Sequence, residues 1–160
     1  MNPLPTSISW EEELIEALDK QPLYVSGTEY VIQDEAKKAL YPDILKVSLK
    51  SNTETDIESA VVAFAAWDEN NLPVKITGTT DLEGGDFIKE ATFKEDIIKG
   101  GTKRDWSGVS LTEKNKIATF KAIVASYKAV NGETWKNPLY EDFCRIYKEK
   151  KLIITEEVEE

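Results

Sequence analysis

The sequence predicts a mainly β fold: an antiparallel β-sandwich with an N-terminal helix and a C-terminal helix. Three observations carry that prediction. Residues 57–76 and 117–135 are two long β-rich runs, each ending in a turn signal, and Asn131-Gly132 in the second is a strong hairpin cue. Residues 44–51 alternate strictly, with Leu45, Val47 and Leu49 on one side and Lys46, Ser48 and Lys50 on the other, the pattern of a half-buried antiparallel strand. Turn-forming clusters separate the strand-like segments at intervals of roughly 8–12 residues, the spacing of a sandwich.

The 160 residues suit one domain with small appendages: a lead-in and helix over 1–22, a β-sandwich with its C-terminal helix over 23–151, and an acidic tail over 152–160. A hydrophobic fraction of 41% with four Trp is that of a packed globule, not a disordered chain. Thirty acids against twenty bases give a formal net charge of −10, which repels phosphate backbones, so nucleic acid is not an expected partner. The chain has no His, which excludes Ser-His-Asp and Cys-His catalysis and imidazole zinc sites. A single Cys, Cys144, excludes an intrachain disulfide. Poverty in Cys fits the cytoplasm and fits equally the outer surface of Gram-positive bacteria. No apolar run reaches the ~20 residues of a membrane span, and no leader pattern opens the chain. It reads as soluble as written, or as a segment from which a leader or anchor has been removed.

Residues 1–8 form a loose lead-in with two Pro. Ser9 and Glu12 read as a capping box, and Trp10, Leu14, Ile15 and Leu18 follow at helical spacing. Glu11, Glu12 and Glu13 would sit in the first turn, where the helix dipole favours negative charge. Pro22 ends this helix near Lys20. Residues 23–32 read as a hairpin or one bulged strand around Gly27. A short helical turn is expected over 34–40, before Pro42. In the first long run, Ile57, Val61, Ala63, Ala65 and Trp67 share one face by parity, and Ala60, Val62, Phe64 and Ala66 the other. Apolar residues on both faces imply a central strand covered on both sides. A turn at Asp68-Glu-Asn-Asn71 returns the chain at Pro73, and a further turn over 81–86 leads to a strand ending at Phe93. The second long run repeats the two-sided pattern. Asn137 then caps the last helix with Pro138 at its first position, and Leu139, Phe143, Ile146 and Tyr147 form its apolar stripe.

Few residues carry recognisable chemistry. Asp81, Glu83 and Asp86 could wrap a calcium ion, but the spacing misses the EF-hand pattern and suits a surface turn. Asp68, Glu69, Asn70 and Asn71 are what a tight turn selects. Asp68 and Glu133 would act as glycosidase acids only if about 5–9 Å apart. Trp67, Trp106, Trp135 and Tyr140 offer either core packing or a stacking platform. Trp67 and Trp135, at equivalent ends of the two runs, are expected to be largely buried in one core. Cys144 reads as an inert buried thiol. The candidate ligand or partner surface is Glu133, Trp135, Asn137 and Tyr140, which joins a tight turn, an aromatic face and a helix N-terminus. The plainer alternative is that Asn137 caps the helix and Trp135 pins it. No catalytic residue, cofactor or metal site is expected.

Several strings resemble a family of Gram-positive bacterial domains of unknown function. They are Tyr41-Pro-Asp-Ile-Leu45, Asn52-Thr-Glu-Thr-Asp-Ile57, Ala63-Phe-Ala-Ala-Trp-Asp68, Asn71-Leu-Pro-Val-Lys-Ile76, Phe120-Lys-Ala-Ile-Val124, Tyr127 and Asn131-Gly-Glu-Thr-Trp-Lys-Asn-Pro138. The same logic is similar to the wider FxLYD-type group of immunoglobulin-like sandwiches. The resemblance spans about residues 30–151 and implies an immunoglobulin-like sandwich in an extracytoplasmic or cell-surface setting. The expected function is that of a non-catalytic binding or spacer module of a cell-envelope-associated protein, whose partner is another protein or a cell-wall polymer. Alternatives are a small hydrolase-type enzyme using surface carboxylates and a cytoplasmic adaptor.

Overall fold

Ten elements follow one another in the computed structural model, which describes residues 7–33, 43–78, 85–93, 99, 101, 103–111 and 117–152. They are α1 (Ser7–Leu18), β1 (Leu23–Val31), β2 (Ile44–Ser51), β3 (Ile57–Trp67), β4 (Pro73–Val74), β5 (Lys89–Phe93), β6 (Lys103–Ser110), β7 (Thr119–Ala129), β8 (Thr134–Lys136) and α2 (Tyr140–Tyr147). All strand pairs are antiparallel. One sheet runs β1-β2-β6; the other runs β4-β3-β7-β8, with β5 also on β3. β4 and β5 share one edge of β3 in tandem: β4 pairs with Ala66 and Trp67, β5 with residues 60–64.

The two sheets enclose the larger core. Leu45, Val47 and Leu49 of β2 meet Val62, Phe64 and Ala66 of β3 and Phe120 and Val124 of β7. The alternation of residues 44–51 is realised without exception. The reverse face of the five-stranded sheet holds a second core, where Ala63, Ala65, Trp67 and Ile123 pack under Leu14 of α1 and Phe143 and Tyr147 of α2. The long runs are thus apolar on both faces because β3 and β7 are covered by a sheet on one side and helices on the other. The two helices are at the two ends of the chain but lie together, in contact, over one face of this sheet.

Two bulges set which residue faces which core. Ile57 is opposite Ala129 while Ser59 is opposite Lys128, so Glu58 is an extra residue on β3. One extra residue reverses the parity of everything before it. Ile57 therefore joins Ala60, Val62 and Phe64 in the inter-sheet core, not Ala63 and Trp67 as simple alternation predicts. On β7, Val61 faces Ser126 and Val62 faces Val124, which leaves Ala125 unpaired and turns both Val124 and Tyr127 toward the inter-sheet core. β1 is a single strand with a register shift between Val25 and Gly27, the bulged form and not the hairpin.

Other details depart from the sequence reading. α1 begins at Ser7, so Ser9 is inside the helix and the capping box does not mark its start; its first turn holds no acid. The returning strand after the 68–71 turn is only two residues long, and Ile76 makes an isolated bridge to Asp86. There Gly85 is obligatory, since a Cβ would lie 2.1 Å from the Ile76 carbonyl oxygen. The helical turn expected over 34–40, Asp81, Glu83 and most of the acidic tail lie outside the described residues, as do the side chains of Trp10 and Trp106.

Candidate binding surface

The hairpin joining β7 to β8 builds the corner that the sequence singles out. Ala129 N–H donates to the Glu133 carbonyl at 2.7 Å, and Gly132 N–H donates to the Ala129 carbonyl at 2.9 Å, closing a loop over residues 130–132. Gly132 takes φ +94°, a region open to Gly and costly for other residues. Asn131 Oδ1 accepts the Glu133 N–H at 2.9 Å. This register puts Trp135 opposite Tyr127, and their rings stack 5.2 Å apart at 29°. The pairing continues a row across four strands, Phe93–Ala60–Tyr127–Trp135, all on the inter-sheet face. Trp135 is half-buried, and Thr134, Lys136 and Glu133 around it are exposed. Burial, and then the charge of Glu133, raise the pKa of the Tyr127 hydroxyl. A depression of about 260 Å³ lies over this end of the sheet, lined mostly by Ser59, Val61, Ser126, Lys128, Thr134 and Lys136, which by register face the side opposite the stacked rings.

Asn137 is buried and its polar groups are used within the chain. Its Nδ2 donates to the Val124 carbonyl at 2.8 Å and its backbone N–H to the Ala125 carbonyl, also at 2.8 Å. Both carbonyls adjoin the β7 bulge, so Asn137 ties this point of β7 to the end of β8 and leaves neither carbonyl unpaired. Its Oδ1 accepts the Leu139 N–H at 2.8 Å. α2 itself starts at Tyr140, with Leu139 in the N-cap position and no side-chain cap bond, so Asn137 sets the turn before the helix and does not cap it.

Tyr140 lies with the helix-side core, away from Trp135. Its hydroxyl donates to Glu90 Oε2 of β5 at 2.7 Å, and burial with that hydrogen bond raises its pKa strongly. Cys144 beside it is half-buried; burial pushes its thiol pKa up, against opposing effects of Tyr140 and Lys148. That thiol is a poor nucleophile at neutral pH. Of the four candidate residues, then, Glu133 and Trp135 converge with Tyr127, Asn137 is a structural pin, and Tyr140 belongs to a tie between α2 and β5. Tyr127, named in the sequence only among the residues of the family resemblance, is not one of the four candidates. Counting outward from a loop over 130–132 pairs it with Trp135.

The other candidate residues separate. Trp67 is fully buried; its Nε1–H donates to the Lys150 carbonyl at 2.7 Å and its ring meets Tyr147 edge-on at 5.5 Å. Trp67 and Trp135 are on different cores, which corrects the expectation of a shared one, and Trp135 is not largely buried. Asp68 Oδ1 accepts the N–H groups of Asn70 and Leu72 at 2.8 and 3.0 Å, and Asn71 adopts φ +64°, the signature of a turn. Trp67 is opposite Thr119 and the 133 carbonyl is bonded at Ala129, so Asp68 and Glu133 lie at opposite ends of β7, roughly 30 Å apart at the strand rise. They cannot form a glycosidase pair.

Fold and corner together define a two-sheet β module, backed by a pair of helices and carrying an aromatic edge hairpin. Residues 44–150 match a family of unknown function (DUF5780), and the chain belongs to it. The structure is similar to a 1.85 Å X-ray structure of a hypothetical protein from Peptoclostridium difficile 630. The TM-score is 0.66 at 11% identity, over 82% of this chain and 94% of that one. At this identity the likeness speaks to the fold alone. No curated protein matches the chain. Among the described residues, no helix is long and apolar enough to cross a membrane.

Proposed function

We propose that the chain is a non-catalytic binding module, immunoglobulin-like in topology, of a bacterial cell-envelope-associated protein, and that it takes its partner at the β7–β8 hairpin. Strand order supports the topology. β1-β2-β6 follow the A-B-E order of an immunoglobulin sheet, β3-β7-β8 follow C-F-G, and β4 and β5 flank β3 as C′ does. The observation that carries the functional reading is the stacked Tyr127–Trp135 pair. It is half-exposed on a short edge strand, where an aromatic can contribute area at low entropic cost. A bacterial hypothetical protein of similar fold is consistent with a bacterial setting.

A cell-wall polymer is the partner to test first. Co-sedimentation with purified Gram-positive wall sacculi should retain the wild-type protein and lose Trp135→Ala while its thermal transition persists. Equal pelleting of the two proteins, or none by either, would remove wall polymer binding at this corner and leave another protein as the partner. Fractionation of the full-length gene product tests location: recovery in the wall or membrane fraction supports the reading, and recovery wholly in the cytosol points to a cytoplasmic adaptor.

A further inference from the structure

A separate feature lies on the other side of β7. β8 is short and turns away at Asn137, so among the described residues the first half of β7 has no strand partner on that side and runs beside β1. α1 and α2 flank this seam and leave a groove of about 350 Å³. Its lining includes Leu14, Ile15 and Leu18 of α1, Val25 of β1, Phe120 of β7 and Phe143 of α2. Such a volume is at the low end for small-molecule sites, which run about 300–1,000 Å³. Ile15 is 50% exposed, so the wall offers apolar surface that nothing described covers.

Lys121 is the only charged side chain among the described residues lining the groove. Its Nζ lies 5.7 Å from the centre of the Tyr147 ring, and no carboxylate among the described residues is within ion-pair distance of it. In a chain with an excess of ten acids, a partly buried lysine at an apolar groove, with an aromatic face beside its ammonium, is matched by an anion with an apolar tail.

We infer that this groove binds a single-chain anionic amphiphile of the fatty-acid class, with its carboxylate on Lys121 and its chain between Ile15, Leu18, Phe120 and Phe143. A peptide fits the lining less well. It brings an N–H and a C=O with every residue, and each must find a partner or be desolvated at a cost. Ser26, one of the few polar groups on the wall, is already bonded to the Ser48 carbonyl. The site shares no residue with the hairpin corner, so the two proposals stand or fall separately.

Calorimetric titration with decanoate below its micelle concentration tests the inference, with decyltrimethylammonium and decanol as comparators. Decanoate should bind saturably and more tightly than either comparator. Lys121→Glu should weaken decanoate about tenfold or more, the loss of one charge-assisted contact, and affect decanol little. Ile15→Asp, an exposed position, should weaken both while circular dichroism and the melting temperature confirm the fold. Equal affinity for the anion and the cation, unchanged decanoate binding in Lys121→Glu, or no saturable binding would each overturn the inference. So would a wild-type dimer that Ile15→Asp dissociates, because a second copy would then own the groove.

Discussion

The two long strand-turn units, alike in sequence, meet different surroundings. β3 ends at Trp67, which points under the helices, is wholly buried, and has a fixed acceptor for its indole N–H in the Lys150 carbonyl. β7 turns back into β8, whose Trp135 points to the opposite face, at the far end of the sheet, and keeps part of its surface in solvent. Trp67 pairs with Thr119 and Trp135 with Tyr127, eight positions apart along β7 or roughly 26 Å at the strand rise. The difference follows from coverage. Two short helices can shield only part of a sheet face, and they lie over Ala63, Ala65, Trp67 and Ile123. An aromatic outside that cover and near a sheet edge remains available to a partner.

Substitution should separate the units most sharply at the Trp residues. Trp67→Ala removes a fully buried indole and should cost ~3–5 kcal/mol in denaturant unfolding, whereas Trp135→Ala, from a half-open site, should cost ~1–2 kcal/mol. Near-equal costs would break the comparison. Asn137→Ala comes next. It leaves the Val124 carbonyl and the Leu139 N–H without their side-chain partner and should cost about 1–3 kcal/mol, measured the same way. A cost near zero would mean that Asn137 does not hold the bulge.

Alkaline titration sharpens the helix-side half. Tyr140 has a folded pKa raised above the ordinary 10.0 by burial and its hydrogen bond to Glu90. A raised folded value means that the unfolded chain loses its proton first as pH rises. The stability from this group is therefore complete below pH 10.0 and is lost above it. Tyr30 and Tyr127 shift in the same direction, burial being the first cause in each. Stability should thus decline above pH 10, and Tyr140→Phe should make the decline shallower at a cost near neutrality of about 0.5–1 kcal/mol. An unchanged alkaline slope would remove Tyr140 from the tie between α2 and β5. A similarly small effect is expected at the loop: Gly132→Ala places a Cβ at φ +94°, and nothing is within 4 Å to clash with it, so the cost is backbone strain alone, ~1 kcal/mol.

Much of this architecture is legible in the residues. The alternation at Leu45, Val47 and Leu49, the two-sided runs of β3 and β7, the Asn131-Gly132 turn and the stripe of α2 all reflect local periodicity, and each is realised. What periodicity cannot reveal is a single unpaired residue. Glu58 and Ala125 carry no marker of a bulge, yet they move Ile57 and Tyr127 to the inter-sheet face. Nor does spacing along the chain say that its first and last helices meet over one sheet face. The candidate surface shows the same limit: neighbours in sequence such as Trp135 and Tyr140 diverge because the chain leaves the sheet at Asn137. Tyr127 and Trp135, eight residues apart in sequence, are brought together by register. Glu90, the acceptor for Tyr140, comes from a strand that no local pattern connects to α2.

The central claim is that the two Trp serve separate cores. A double-mutant cycle on Trp67→Phe and Trp135→Phe tests it most directly, with Trp67→Phe and Tyr147→Leu as the reference cycle for residues in contact. Separate cores predict that the first pair adds to within ~0.5 kcal/mol while the reference pair does not. A coupling of about 1 kcal/mol or more between Trp67 and Trp135 would place them in one core and contradict the arrangement described.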